Sequence, residues 1–317
     1  MSNRSRWTRL RNLVAGAVLA TAITPAAAQA EKYASIVIDA ETDTVLHARH
    51  ADAPRHPASL TKVMTLYMVF EELKAGRLSL DEALPVSAHA ARQQPSNLRL
   101  RRGDTITVRD AIDALITKSA NDVAVVVAER IGGTEARFAA LMTVKARTLG
   151  LTQTSFYNAS GLHDYRQVTT ARDMARLAEV MLEEQGAYYD YFATQRFSWD
   201  GRTYRNHNRL LGEVEGVDGI KTGYTRASGF NLMAAAERDN RRIIAVMLGG
   251  HSSRARNDHV EDLIEAAYES VPEMAPRGGM KTQIAFDAVR QPVAPDAAAV
   301  PMLNGKPFVP VGEGDVQ

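Results

Sequence analysis

The stretch HPASLTKVMT, residues 56–65, decides how this chain is read. Pro57 stands just ahead of a run in which Val63, Leu66, Val69, Phe70 and Leu73 recur at helical spacing. A helix is therefore predicted from about Ser59 to Lys74, closing near Gly76. Ser59 falls in its first turn and Lys62 one turn later on the same face. A serine hydroxyl is a weak nucleophile at neutral pH and needs a base within hydrogen-bond reach. A lysine three residues on becomes that base once burial and nearby positive charge lower its pKa. The helix N-terminus adds backbone N–H groups and a dipole that favour an oxyanion. Ser-x-x-Lys also arises by chance on solvated helices, so the pair needs company.

Two later stretches supply it. Ser119-Ala120-Asn121 lies between two apolar helical runs, and Lys221-Thr222-Gly223 lies near the end of a strand-like segment. Serine-x-x-lysine, serine-x-asparagine and lysine-threonine-glycine, in that order, form the signature set of penicillin-binding proteins and serine β-lactamases. The chain resembles these proteins.

Composition narrows the rest. The chain has 317 residues, 45% hydrophobic and 24% charged, an ordinary globular balance. A net charge of +1 leaves no basic excess for a nucleic-acid footprint. There are no cysteines, which excludes thiol catalysis, disulfides and thiolate metal sites. The histidines show no metal-ligand spacing, and His47, His50 and His56 read as solvated strand and loop positions. No metal or cofactor is expected.

Residues 1–30 read as a signal peptide. Arg4, Arg6, Arg9 and Arg11 precede an apolar run from Leu13 to Ile23, too short to span a bilayer comfortably. Ala26-Ala27-Ala28 and Ala28-Gln29-Ala30 both fit a cleavage site, so a mature chain starting at Gln29 or Glu31 is expected in the periplasm or elsewhere outside the cytoplasm. One domain is expected over residues 31–272. Residues 273–317 are rich in Pro, Ala and Gly, read as a disordered tail, and show no amphipathic membrane anchor.

Within the domain, Tyr33 to Asp39 and Thr44 to Ala48 read as a hairpin, and Ser79 to Arg102 as a loose segment broken by Pro85 and Pro95. Arg99, Arg101 and Arg102 read as a solvated loop. Helices are predicted over Val108 to Ile116, Asp122 to Ile131 and, capped by Thr134, to about Thr148. Thr170 and Asp173 resemble a capping box opening a helix to about Glu184. Gln195 to Trp199 and Arg202 to Asn206 form a hairpin around Asp200-Gly201. Strands follow at Val217 to Thr225, Gly229 to Ala236 and Arg242 to Gly249, then a helix from about Ala255 to Glu269. The pattern predicts an α/β fold of the α+β type: an antiparallel sheet with helices packed on it and a helical subdomain.

Longer tokens sharpen the resemblance. PASLTKVMT at 57–65, KSANDVA at 118–124, TSFYNASGLHD at 154–164, TTARDMA at 169–175 and GVDGIKTGYT at 216–225 are similar to the low-molecular-weight penicillin-binding proteins that act as serine D-Ala-D-Ala carboxypeptidases. The resemblance implies a β-lactamase/transpeptidase-like fold that removes the terminal D-alanine from peptidoglycan stem peptides and is acylated by β-lactams. By position, it implies Ser59 as nucleophile, Lys62 as its base and Ser119 as proton relay. Asn121 would hold the substrate's backbone amide, Lys221 and Thr222 its terminal carboxylate, and Gly223 would leave the strand unobstructed. The N–H groups of Ser59 and Tyr224 would form the oxyanion hole. Tyr224 stands where many relatives carry histidine, which is expected to tune rate. Many relatives also carry a second, all-β domain, for which the residues after Pro272 are too few. Three other readings stay open at this level: a D,D-endopeptidase, a serine β-lactamase, and a catalytically silent wall-binding protein. The β-lactamase pattern Glu-x-x-Leu-Asn is half met at Glu179 to Glu183.

Overall fold

The computed structural model describes residues 32–270; the expectations for residues 1–30 and 273–317 lie outside them. In chain order the elements begin with strands β1 (Ala34–Asp39) and β2 (Thr44–Arg49), helix α1 (Thr61–Lys74), and the short strands β3 (Ala83–Pro85) and β4 (Thr105–Thr107). Helices α2 (Val108–Asp113), α3 (Asn121–Gly132), α4 (Glu135–Thr148) and α5 (Ala171–Tyr189) follow. The chain then returns to strands with β5 (Arg196–Trp199), β6 (Arg202–Arg205), β7 (Val217–Thr225), β8 (Gly229–Arg238) and β9 (Arg241–Gly250), and ends on α6 (Ser253–Ser270).

Five strands form one antiparallel sheet in the order β2-β1-β9-β8-β7. Its two faces follow from the period-2 alternation of side chains. Ala34, Ile36 and Ile38 of β1, with Met233, Ala235, Ile244 and Val246, join the core that contains α1 and α5. Tyr33, Val37, Leu232, Ala234, Ile243 and Ala245 face α6. Both faces are covered, so β8 and β9 read as nearly continuous apolar runs, and β7 is left as an edge. The tight hairpins have the residues their turns demand: Asp200-Gly201 and Asp239-Asn240 all take positive φ.

The α+β architecture agrees with the sequence reading, and three threonines (Thr107, Thr134, Thr170) cap α2, α4 and α5 as acceptors for the N–H three residues on. Four local expectations need correction. The loose segment holds β3, which pairs with β4 in a two-stranded ribbon too short for any alternation to register. The helix expected to Ile116 ends as α2 at Asp113 and continues as a π-helical stretch, Ala114–Lys118. Helix α5 runs past Glu184 to Tyr189 through a non-helical Gln185. His47 is buried, not solvated, because Leu46 is the extra residue of a bulge and both side chains are shielded.

Candidate active site

Ser59 sits in a single 3-10 turn, Ala58–Leu60, that feeds directly into α1. The turn is tighter than the predicted first helical turn, and Ala58 takes a positive φ of 48°. Three contacts hold it. Asn231 of β8 donates from Nδ2 to the carbonyls of His56 and Pro57, both at 3.1 Å, and its Oδ1 accepts from Gly249 N at 2.9 Å. At Gly161 a Cβ would lie 1.8 Å from the Ala58 carbonyl oxygen, so only glycine lets that loop close on the turn. At Gly223 a Cβ would lie 3.0 Å from Ser59 N. The glycine of Lys-Thr-Gly therefore serves the close approach of β7 to the Ser59 turn.

Lys62 is fully buried beneath Ser59. Its Nζ lies 3.4 Å from Ser59 Oγ and donates to Asn121 Oδ1 at 2.8 Å and to the Ser160 carbonyl at 2.5 Å. That carbonyl is set by a turn in which Asn158 Oδ1 accepts from Gly161 N at 2.7 Å and Asn158 Nδ2 donates to Leu162 O at 2.9 Å. Burial, and next the charge of Lys221, hold the Lys62 amine well below its ordinary pKa, against an opposing pull from Asp122. A neutral amine has two N–H groups and one lone pair. In the neutral form, with two N–H groups directed at Asn121 and Ser160, one lone pair is available to the Ser59 hydroxyl.

Ser119 follows the π-helical stretch in the left-handed region, at φ 58° and ψ 41°. It is buried, lines the cavity, and its Oγ has no hydrogen-bond partner among the described residues. Asn121 opens α3; besides accepting from Lys62 it donates from Nδ2 to Gln94 O at 2.8 Å, which leaves one amide hydrogen for a ligand. Asp122 next to it accepts from the N–H groups of Leu98, Leu100 and Val123 and so fixes the loop that forms the adjoining wall.

The third motif is arranged differently from expectation. Thr222, Gly223 and Tyr224 line the cavity, whereas Lys221 is buried behind it with its Nζ donating to the Thr222 carbonyl at 3.1 Å. Burial, and then Arg256, push Lys221 down to about 7. The buried cation on the cavity wall is Arg256 from the start of α6, a residue nothing in the sequence singles out. It donates to Asn257 Oδ1, to Asn231 O at 3.1 Å and to Ser253 Oγ at 3.2 Å, and burial pulls its pKa to about 10. His207 also lines the cavity; crowding by protein atoms and then Lys221, Lys118 and Arg256 bring it to about 4, so its imidazole is neutral at pH 7. Tyr224 is 55% exposed and packs on Phe230 at a centroid distance of 4.2 Å.

Ser59, Ser119, Asn121, Thr222, Tyr224 and Arg256 line one cavity of about 680 Å³. Glu179, from the half-met β-lactamase pattern, lines another cavity and pairs with Arg176. Among the described residues no group of three His, Asp or Glu side chains could hold a metal ion, and no helix is long and apolar enough to cross a membrane.

A serine beside a buried lysine, under the edge strand of an antiparallel sheet, has the geometry of a serine peptidase. The chain belongs to the D-alanyl-D-alanine carboxypeptidase family Peptidase_S11, whose profile matches residues 20–252. It is 34% identical over 246 residues to the D-alanyl-D-alanine carboxypeptidase DacF of Bacillus subtilis (strain 168), covering 75% of this chain and 62% of that protein. The chain thus spans less than two thirds of that relative's length. Among solved structures, penicillin binding protein 5 from Haemophilus influenzae superposes with a TM-score of 0.72 at 30% identity, over 74% of this chain and 70% of that one. Penicillin-Binding Protein D2 from Listeria monocytogenes, in its ampicillin-bound form, gives 0.66 at 31% identity, over 74% and 96%.

Proposed function

We propose that this chain is an exported serine peptidase that removes the C-terminal D-alanine of peptidoglycan stem pentapeptides through an acyl-serine intermediate, and that penicillin acylates the same serine. The observation that carries the reading is the environment of Lys62, 3.4 Å from Ser59 Oγ with both N–H groups engaged. A substrate strand lies along the open edge of β7, where backbone pairing aligns it. Lys62 takes the Ser59 proton as Oγ attacks the penultimate carbonyl. The N–H groups of Ser59 and Tyr224 receive the oxyanion. Lys62 returns the proton through Ser119 to the nitrogen of the departing D-alanine, and water then hydrolyses the ester. Thr222 and Arg256 hold the terminal carboxylate; Lys221 acts from behind by lowering the pKa of Lys62. The basic N-terminus and its small-residue cleavage sites support export.

The test compares a stem pentapeptide ending in free D-alanine with the same peptide amidated at its C-terminus. The free acid should release D-alanine, and amidation should lower kcat/KM at least tenfold, about 1.4 kcal/mol. Arg256→Gln should narrow that ratio. Equal cleavage of both peptides would overturn the carboxylate-reading role and favour a D,D-endopeptidase.

A further inference from the structure

The β5–β6 hairpin and the loop after it supply one wall of the Ser59 cavity, including Arg196, Arg205, His207 and Arg209. The register places Arg196 directly opposite Arg205. Phe197 and Tyr204, the next cross-strand pair, turn inward to the core, so the two arginines share the exposed face. Like charges directly opposite on a hairpin repel. Among the described residues neither arginine makes an ion pair or a side-chain hydrogen bond, and Arg209 makes none either. Glu213 is the one acidic residue on a cavity wall that carries four arginines, with Arg256 the fourth.

The hairpin is held at a fixed place relative to the nucleophile. Asn206 closes its base, with N donating to Gln195 O at 2.8 Å and Nδ2 to Thr194 O at 2.9 Å. Asn208 donates to Gly219 O of β7 at 2.9 Å. Lys118, the residue before Ser119, sits 5.1 Å from the centre of the Tyr204 ring. An uncompensated cationic pair on a well-anchored wall is a local choice against stability, and a guanidinium fork matches a carboxylate.

We propose that Arg196 and Arg205, aided by Arg209, form a second anion subsite that reads a free carboxylate on the acyl-donor part of the stem peptide. This inference rests on the carboxypeptidase reading. The terminal carboxylate is already assigned to Thr222 and Arg256, so the second anion belongs upstream of the scissile bond. Two groups have that chemistry: a side-chain carboxylate on the residue preceding D-Ala-D-Ala, as in a diaminodicarboxylic acid, and the free α-carboxylate of a γ-linked glutamate one residue further up.

Four synthetic peptides ending in D-Ala-D-Ala separate the possibilities: one with only the side-chain carboxylate, one with only the glutamate α-carboxylate, and the amide of each. D-Alanine release by the whole chain gives kcat/KM for each. At low ionic strength one acid should exceed its amide by about tenfold, and salt should shrink the ratio because the site is open to water. Arg196→Gln with Arg205→Gln should bring the ratio to about threefold or less. Arg205→Glu makes a complementary cross-strand pair that keeps the hairpin folded, and should bring the ratio to one or below. Arg137→Gln, the same charge loss on the exposed side of α4, should leave it at the wild-type value. Equal wild-type rates for acid and amide in both pairs, with D-alanine released, overturn this inference alone. No release from any peptide overturns the carboxypeptidase reading, and this inference with it.

Discussion

Helix α6 carries two buried polar residues one turn apart, and they belong to opposite kinds of interior. His259 faces a chain of hydrogen bonds: its Nε2 lies 2.8 Å from Tyr33 Oη, Tyr33 Oη lies 2.8 Å from Ser35 Oγ, and Ser35 Oγ lies 2.9 Å from Nε2 of His47, whose ring burial keeps neutral. Arg256 acts on Lys221, and Lys221 on Lys62: three buried basic side chains with no ion pair among the described residues. Asp122, the carboxylate that acts on Lys62, spends its oxygens on backbone N–H groups. Burial favours neutral forms in both places. Behind the sheet this yields a polar chain that serves the fold. At the cleft it holds the Lys62 amine well below its ordinary pKa and gathers basic side chains with no carboxylate paired to them. The cost of burying like charges together is concentrated at the cleft beside Ser59.

The sharpest way to break this contrast is to remove one member from each side. Ser59→Ala should abolish the penicilloyl adduct seen by mass spectrometry. Lys62→Ala should slow its formation by about 10²–10⁴-fold, the range for losing a positioned base. Ser35→Ala, in the neutral chain, should acylate at the wild-type rate. Adduct formation surviving Ser59→Ala would move the nucleophile elsewhere.

Lys221→Met tests whether the cationic side is held against stability. The folded Lys221 titrates at about 7 against an ordinary 10.5, so between those values the unfolded chain binds the extra proton. Stability then rises with pH across that window, and the penalty is fully present below it. The methionine variant should be more stable than wild type at pH 6 by ~2 kcal/mol, roughly 4–8 °C in Tm, with the gap closing toward pH 10. The same change removes a charge that depresses Lys62, so the acid limb of acylation should move to higher pH. A variant less stable than wild type at pH 6 would show that Lys221 is compensated after all.

The cleft was legible in the sequence wherever chemistry and order coincide. Ser59, Lys62, Ser119, Asn121, Thr222 and Gly223 all converge on one place, with Lys221 directly behind it. What stayed hidden depends on contacts between distant segments. Arg256 is indistinguishable by pattern from exposed Arg254 two residues earlier; only the packing of α6 separates them. Asn231 reads as an interruption in an apolar strand until its two bonds to the segment before Ser59 are seen. Ser160 contributes a carbonyl, which no side-chain motif encodes. The sheet and hairpins were legible because alternation and turn residues agree. β3 and β4 were not, being three residues each.

The smallest expected effect lies on the neutral side. Burial, and secondarily Arg49, lower His47 to about 3, whereas an unfolded histidine titrates near 6.5. As pH falls below 6.5 the unfolded chain takes up a proton that folded His47 refuses, so stability is lost progressively down to about pH 3. One proton corresponds to at most ~1.4 kcal/mol per pH unit, or on the order of 1 kcal/mol by pH 5.5. His47→Leu removes this titration while keeping an apolar side chain under the sheet. Its urea midpoint at pH 7.5 should be lower than wild type, because Ser35 loses a partner. Between pH 6.5 and 4, however, wild type should fall more steeply and the two curves should converge. Comparing the two proteins cancels the carboxylates that titrate in both, including Asp113, which burial raises to about 6. Curves that stay parallel through this range would mean that His47 carries a proton in the fold, and the chain behind the sheet would then hold a charge as the cleft does.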